Sequence, residues 1–125
     1  MKYLCLVIVD ERRFGSLSGS ELQVLDDAAI EYGEMLQSGG HLLGASALET
    51  TNSATTVRVH NGKAVVTDGP YAVTYEQVGG FLLLEARDLN QAIQLASMMP
   101  CAYLGGLEIR PVRELVLSTD PERRI

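Results

Sequence analysis

The chain has few of the residues that build metal sites and disulfide frameworks. Its two cysteines, Cys5 and Cys101, are far apart in sequence, and its two histidines have no zinc-ligand spacing beside them. We therefore expect no metal site and no cofactor. A disulfide would require the two cysteines to meet in space, which their spacing does not decide.

Positive charge and long apolar runs are also scarce. The chain has 16 acidic and 10 basic residues, a formal net charge of −6, whereas non-specific nucleic-acid binding requires clustered cations. No apolar run approaches the roughly 20 residues of a membrane helix, and the N-terminus lacks the pattern of a signal peptide. We expect a cytoplasmic protein that binds neither nucleic acid nor membrane.

Familiar catalytic signatures are missing as well. The sequence contains no G-x-S-x-G, no phosphate-binding loop and no Ser-His-Asp set that local spacing supports. With 46% apolar and 21% charged residues, its composition is that of an ordinary globular protein. Its length of 125 residues predicts one domain over 1–113, followed by a tail over 114–125.

Hydrophobic periodicity defines the first half of the chain. The apolar, β-branched run 2–9 predicts a buried strand, and 10–17 reads as a polar loop. Ser18 and Glu21 have the spacing of a capping box. Apolar residues then recur at helical spacing and predict a helix over 19–38.

A hairpin follows a second predicted strand at 41–48. Asn61 and Gly62 favour a two-residue type I′ turn. The expected pairs are His60 with Lys63, Val59 with Ala64, and Val57 with Val66. In this register the valines share one face of the hairpin.

The remaining elements are a strand, a helix and a strand. The run 80–86 predicts a strand, and Asp88 begins a helix that ends before Pro100. Residues 107–112 predict a last strand at a sheet edge, because Pro111 lacks the N–H that a ladder needs. The order fits an α+β fold, a ferredoxin-like βαββαβ with an inserted β-hairpin.

The stretch 67–81, T-D-G-P-Y-A-V-T-Y-E-Q-V-G-G-F, is the most distinctive in the chain. It resembles the DGPF branch of the YCII-related proteins, which carry D-G-P-F-A-E-T-K-E-Q-L-G-G before an aromatic residue. The likeness continues in M-K-Y-L, T-T-V-R-V and G-G-L-E-I-R-P-V. Val73 replaces a usual Glu and Tyr75 a usual Lys, so a site that needs that pair is altered here.

The resemblance bears on mechanism. Some members of the wider family carry a His on the first helix that, with an Asp, resembles a catalytic dyad. Ala29 falls where that His is expected, and the predicted helix contains no His. We therefore do not expect the dyad mechanism in this chain.

The first strand is apolar on both faces. The first set of side chains, on one face, is Leu4, Leu6 and Ile8. The second set, on the other face, is Tyr3, Cys5, Val7 and Val9. Two helices cover only one face of a four-stranded sheet, and leaving the second set in water would expose a large patch. We predict a homodimer with its sheets face to face. The resemblance implies the same arrangement, a dimeric α/β barrel. Alternatively, the hairpin and tail cover that face within one chain.

Asp68 is the candidate catalytic residue. A carboxylate beside a Gly-Pro turn and an apolar sheet is a possible acid or base, but Asp at such a position commonly caps the turn or a short following segment. The candidate ligand-binding residues are Tyr71, Glu76, His41 and Arg110, each of which also has an ordinary packing or surface role.

Three functions remain open. The first is a small dimeric protein that binds an apolar or aromatic ligand in the sheet cleft. Members of the family it resembles are often encoded near extracytoplasmic-function sigma factors, which implies a regulatory role. The second is a cofactor-free lyase, isomerase or oxygenase that uses Asp68 as acid or base. The third is a structural interaction module.

Overall fold

The structure is a computed structural model that describes residues 1–125. It contains eight strands: β1 (Lys2–Asp10), β2 (Leu42–Ala47), β3 (Thr55–His60), β4 (Lys63–Asp68), β5 (Glu76–Glu85), β6 (Gly105–Pro111), β7 (Val116–Leu117) and β8 (Asp120–Arg124). It contains three α-helices: α1 (Glu11–Gly15), α2 (Gly19–Ser38) and α3 (Leu89–Ser97).

The central sheet has four strands in the order β2-β5-β1-β6, all antiparallel to their neighbours. The two most apolar strands, β1 and β5, lie at its centre and pair from Lys2 opposite Glu85 to Asp10 opposite Glu76. The strand that contains Pro111 lies at an edge, as the missing N–H predicts. The mixed α+β architecture is consistent with a ferredoxin-like fold.

Local capping determines where the helices begin. Ser18 and Glu21 form the predicted capping box at the start of α2, and Asp88 accepts a hydrogen bond from the Gln91 backbone at the start of α3. The loop predicted for 10–17 is wrong in part, because α1 occupies its first half. Asp10 caps that five-residue helix, which is too short to show a hydrophobic period. None of the helices combines the length and apolar character that crossing a membrane requires.

Two hairpins form separate two-stranded sheets. The β3–β4 hairpin has the predicted register, and both turn residues, Asn61 at φ 51° and Gly62 at φ 75°, have the positive φ of a type I′ turn. The tail forms a second hairpin from β7 and β8. Each hairpin pairs only within itself, and neither contributes a residue to the hydrophobic core.

The core lies between the helices and one face of the central sheet. Its main cluster is Cys5, Tyr32, Leu36, Leu82, Leu84 and Ala96. The helices cover the face of β1 that carries Tyr3, Cys5, Val7 and Val9, which are all buried. The expectation from the sequence that the helices leave this set uncovered is therefore wrong. The reverse face instead carries Leu4, Leu6 and Ile8, which are half-buried.

Gly105 marks a close contact between β6 and β1. A Cβ atom on Gly105 would overlap the Ile8 carbonyl oxygen and lie 3.0 Å from the Val9 Cα. The neighbouring Gly106 has open space around its Cβ position. The two adjacent glycines therefore differ sharply in how well they tolerate a side chain.

Gly105→Ala should lower the free energy of unfolding by about 1–3 kcal/mol, because backbone atoms must move to accept the methyl group. Urea denaturation monitored by circular dichroism measures the change. Gly106→Ala is the matched control and should leave the midpoint nearly unchanged. Equal midpoints for the two variants would contradict the close contact.

Candidate functional site

The Asp-Gly-Pro motif forms the turn that leaves β4. Gly69 has φ 110°, a conformation that favours glycine. Its N–H donates to the Ala54 carbonyl at 2.8 Å, and the buried Thr56 hydroxyl donates to the Gly69 carbonyl at 2.8 Å. The glycine of the motif thus has a backbone role. Asp68 itself is exposed at the end of β4.

Tyr71 lies in solvent beside the β3–β4 hairpin. Its ring is stacked on the guanidinium of Arg58, whose carbon lies 4.4 Å from the ring centroid. The side chain remains 74% exposed. Asp68 and Tyr71 are therefore both exposed side chains in the single chain.

The second half of the motif connects to the end of β1. Glu76 pairs with Asp10 across the central strands, and Asp10 accepts a 2.8 Å ion-pair contact from Arg12. The Arg12 guanidinium lies 3.9 Å from the centroid of the Tyr75 ring. Tyr75, which stands where a Lys is usual in the pattern, therefore holds Arg12 by a cation–π contact.

This ion pair changes the acidity of Asp10. The side-chain hydrogen bond from Arg12 is the main cause that lowers the pKa of Asp10 from 3.8 to about 2. Since the folded pKa is depressed, ionised Asp10 contributes stability above the ordinary pKa. That contribution is lost as the pH falls from 3.8 to about 2.

His41 and Arg110 lie elsewhere. The His41 ring Nδ1 is 2.9 Å from the Glu85 carbonyl oxygen, at the opposite end of β5 from Glu76. Nine residue steps along a strand span about 30 Å. Arg110 is exposed on β6, 4.0 Å from Glu108. The structure thus does not bring the five candidate side chains together within one chain.

A cleft lies between α2 and the central sheet. Its volume is about 450 Å³. The walls are mostly apolar and include Val7, Val9, Leu25, Ala29, Leu82 and Leu104. None of the five candidates from sequence analysis lines it, so residue types typical of catalysis gave no indication of its position.

Small residues on both walls leave the space between α2 and the sheet unfilled. Ala29 and Gly33 face the cleft from α2, and Ala45 and Ala47 face it from β2. The Tyr32 hydroxyl donates to the Leu95 carbonyl at 2.5 Å and anchors the C-terminal half of the helix. Along the face of α2 that lines the cleft, from Leu25 to Gln37, the small residues Ala29 and Gly33 leave space unfilled. This spacing of alanine and glycine is the sequence signal that could have indicated the cleft.

Two motif glycines form part of the cleft wall. A Cβ atom on Gly79 would lie 2.9 Å from a Val9 methyl carbon, and one on Gly80 would lie 2.8 Å from the Ser46 carbonyl oxygen. The glycines permit β5 to approach its neighbours on both sides at this point. The Gly-Gly pair of the motif therefore shapes the cleft by close packing.

Cys101 contributes a thiol to the cleft wall. Burial is the main cause that raises its pKa above the ordinary value, so the side chain is a neutral thiol at neutral pH. Cys101 and the buried Cys5 are both free. The cleft thus offers a mostly apolar interior that includes two sulfur-bearing residues, Met99 and Cys101.

Replacing Arg12 should return the pKa of Asp10 towards its ordinary value. Arg12→Gln removes the bidentate guanidinium contact, and we expect the pKa of Asp10 to rise from about 2 towards 3.8. An NMR titration of the Asp10 carboxyl carbon measures it. Arg13→Gln is the control and should leave the titration near its original position. A wild-type midpoint close to 3.8 would contradict the ion pair.

Comparison with known proteins identifies the family. The family model of the YCII-related domain matches residues 1–116. An uncharacterised protein of Rhizobium meliloti (strain 1021) is 36% identical over 75 residues, which cover 58% of this chain and 60% of the relative. The match therefore spans less than two thirds of that relative. On the strength of the family match, this chain belongs to the YCII-related domain family.

Proposed function

We propose that the protein binds a small apolar or aromatic molecule in the cleft between α2 and the sheet. The observation that carries this proposal is the cleft itself, about 450 Å³ in volume and mostly apolar. Ligand sites in proteins commonly have volumes of about 300–1,000 Å³ and mostly apolar walls. An aromatic ring or a short aliphatic chain fits this description.

The cleft favours binding over the two other functions. A structural module would be expected to fill this space with side chains, whereas small residues keep it open. An enzyme that uses Asp68 requires that carboxylate beside the ligand, but Asp68 is exposed on the β3–β4 hairpin and does not line the cleft. A ligand site of this kind agrees with a regulatory role.

We also propose that the protein is a homodimer whose sheets pack face to face as a dimeric α/β barrel. The centre of the reverse face is an apolar stripe formed by Leu4, Leu6, Ile8, Phe81 and Leu83. Covering several hundred Å² of such surface gains many kcal/mol at about 25 cal/mol per Å², before the cost of association. A second copy supplies the matching stripe.

The β3–β4 hairpin supports the same assembly. Val57, Val59 and Val66 are each more than half exposed, and the register places them on one face. Exposed apolar surface of this kind commonly marks an interface. In the proposed dimer the hairpin is an inserted arm that contacts the partner. The cleft is lined mainly from the helix side of the sheet, and Phe81 is the stripe residue that also lines it.

A bulky side chain in the cleft should prevent binding. Ala29→Phe places a ring between α2 and the sheet, and we expect it to abolish the thermal shifts that apolar and aromatic hits from a metabolite library cause in the wild type. Val24→Phe is the control, because Val24 is exposed on the same helix and does not line the cleft. Hits that shift Ala29→Phe as strongly as the wild type would contradict the site.

A charge in the apolar stripe should dissociate the dimer. Leu6→Lys places an ammonium group opposite Phe81 at the centre of the reverse face, where burial would remove it from water. Sedimentation velocity should show a dimeric wild type and a monomeric variant. Met35→Lys on α2 is the control, since Met35 is exposed on the helix side. A wild-type mass of 13.6 kDa at micromolar concentration would refute the dimer.

A further inference from the structure

The charged side chains that line the cleft are all acidic. Asp26 and Glu34 lie on its rim, and no lysine, arginine or histidine lines it. The two carboxylates are eight residues apart on α2, which is about 12 Å along the helix axis. They therefore frame the mouth of an apolar cleft from two points.

The carboxylates of Asp26 and Glu34 lack a cation in the chain. The ion pairs of the protein involve other acidic residues. Among the other acidic residues of α2, Glu21 belongs to the capping box and Asp27 accepts a hydrogen bond from Gln23. Glu31 also has no ion-pair partner, but it does not line the cleft. The negative charge at the cleft mouth is thus left without a partner.

The nearest basic segment does not neutralise this mouth. Arg12 is engaged by Asp10 and by the Tyr75 ring. The guanidinium carbon of Arg13 lies 6.0 Å from the centroid of the Tyr103 ring, and neither arginine lines the cleft. The charged side chains at the mouth are therefore carboxylates without a lining cation to offset them. A low-dielectric wall behind the charges reduces their screening by water.

We propose that the ligand is a small apolar amine, with its ring or chain inside the cleft and its protonated nitrogen at the mouth beside Asp26 or Glu34. This inference rests on the proposed ligand site and adds the charge of the ligand. A carboxylate or phosphate on the same apolar group would face repulsion from both carboxylates. The acidic rim thus favours a positively charged group on the ligand, and the apolar walls favour an apolar ring or chain.

Three probes of similar size separate charge from shape. Benzylamine, benzyl alcohol and benzoate carry positive, zero and negative charge at pH 7, and NMR titrations of the full chain measure their dissociation constants. We expect benzylamine to bind about three- to fivefold more tightly than benzyl alcohol, as for a solvent-exposed ion pair. Benzoate should bind most weakly, and added salt should reduce the preference.

Substitutions at the rim test which carboxylates are responsible. The double variant Asp26→Asn and Glu34→Gln should lose the preference for the amine and bind benzylamine and benzyl alcohol with similar affinities. The double variant Glu31→Gln and Glu122→Gln is the control. It removes the same net charge from positions outside the cleft and should keep the preference for the amine.

The outcomes distinguish this inference from the proposed function. Benzyl alcohol binding as tightly as benzylamine to the wild type, or a preference that survives in the Asp26 and Glu34 variant, overturns the amine assignment and leaves the apolar site in place. Binding of all three probes that Ala29→Phe does not change, or no binding at all, overturns the site and the amine assignment together.

Discussion

The packing of α2 on the central sheet is the constraint on which the site depends. Tyr32 and Leu36 belong to the main core cluster and fix the C-terminal half of the helix. The residues of the same helix that line the cleft, from Leu25 to Gln37, include Ala29 and Gly33, and β2 contributes Ala45 and Ala47. A close-packed interior normally fills such a space with side chains. Here the short side chains leave an apolar cleft that is open to solvent along its rim.

The central strands give the two faces of the sheet different roles. On the helix side, alternate residues of β1 and β5 form the core and the inner wall of the cleft. On the reverse side, the remaining residues form an apolar stripe, flanked on β6 by Glu108 and Arg110. A ligand and a second copy would therefore approach mainly from opposite faces. Both would act on the same pair of strands, and Phe81 belongs to both surfaces.

Features determined by neighbouring residues were predictable from the sequence. The capping box at Ser18, the Asn61-Gly62 turn and the edge position of Pro111 each follow from local chemistry, and the structure confirms all three. The helix α1 was missed because five residues are too few for a hydrophobic period. Which face of β1 the helices would cover was also missed, since both faces of that strand are apolar.

The candidate site was less accessible to sequence reasoning. The Asp-Gly-Pro motif drew attention to a carboxylate, whereas the structure gives its glycine the defined backbone role. Asp68 as acid or base stays a prediction, and its exposed side chain does not line the cleft. The cleft arises where small residues from α2, β2 and β5 meet across the fold. Such a meeting depends on tertiary packing, which the spacing of alanine and glycine along each element does not specify by itself.

A crystal structure determined under xenon pressure tests the open cleft most directly, because accessible apolar cavities bind xenon. The account predicts xenon density between Ala29 of α2 and the walls formed by Val9 and Leu82. Absence of xenon there, with α2 moved onto the sheet so that side chains fill the space, would contradict it.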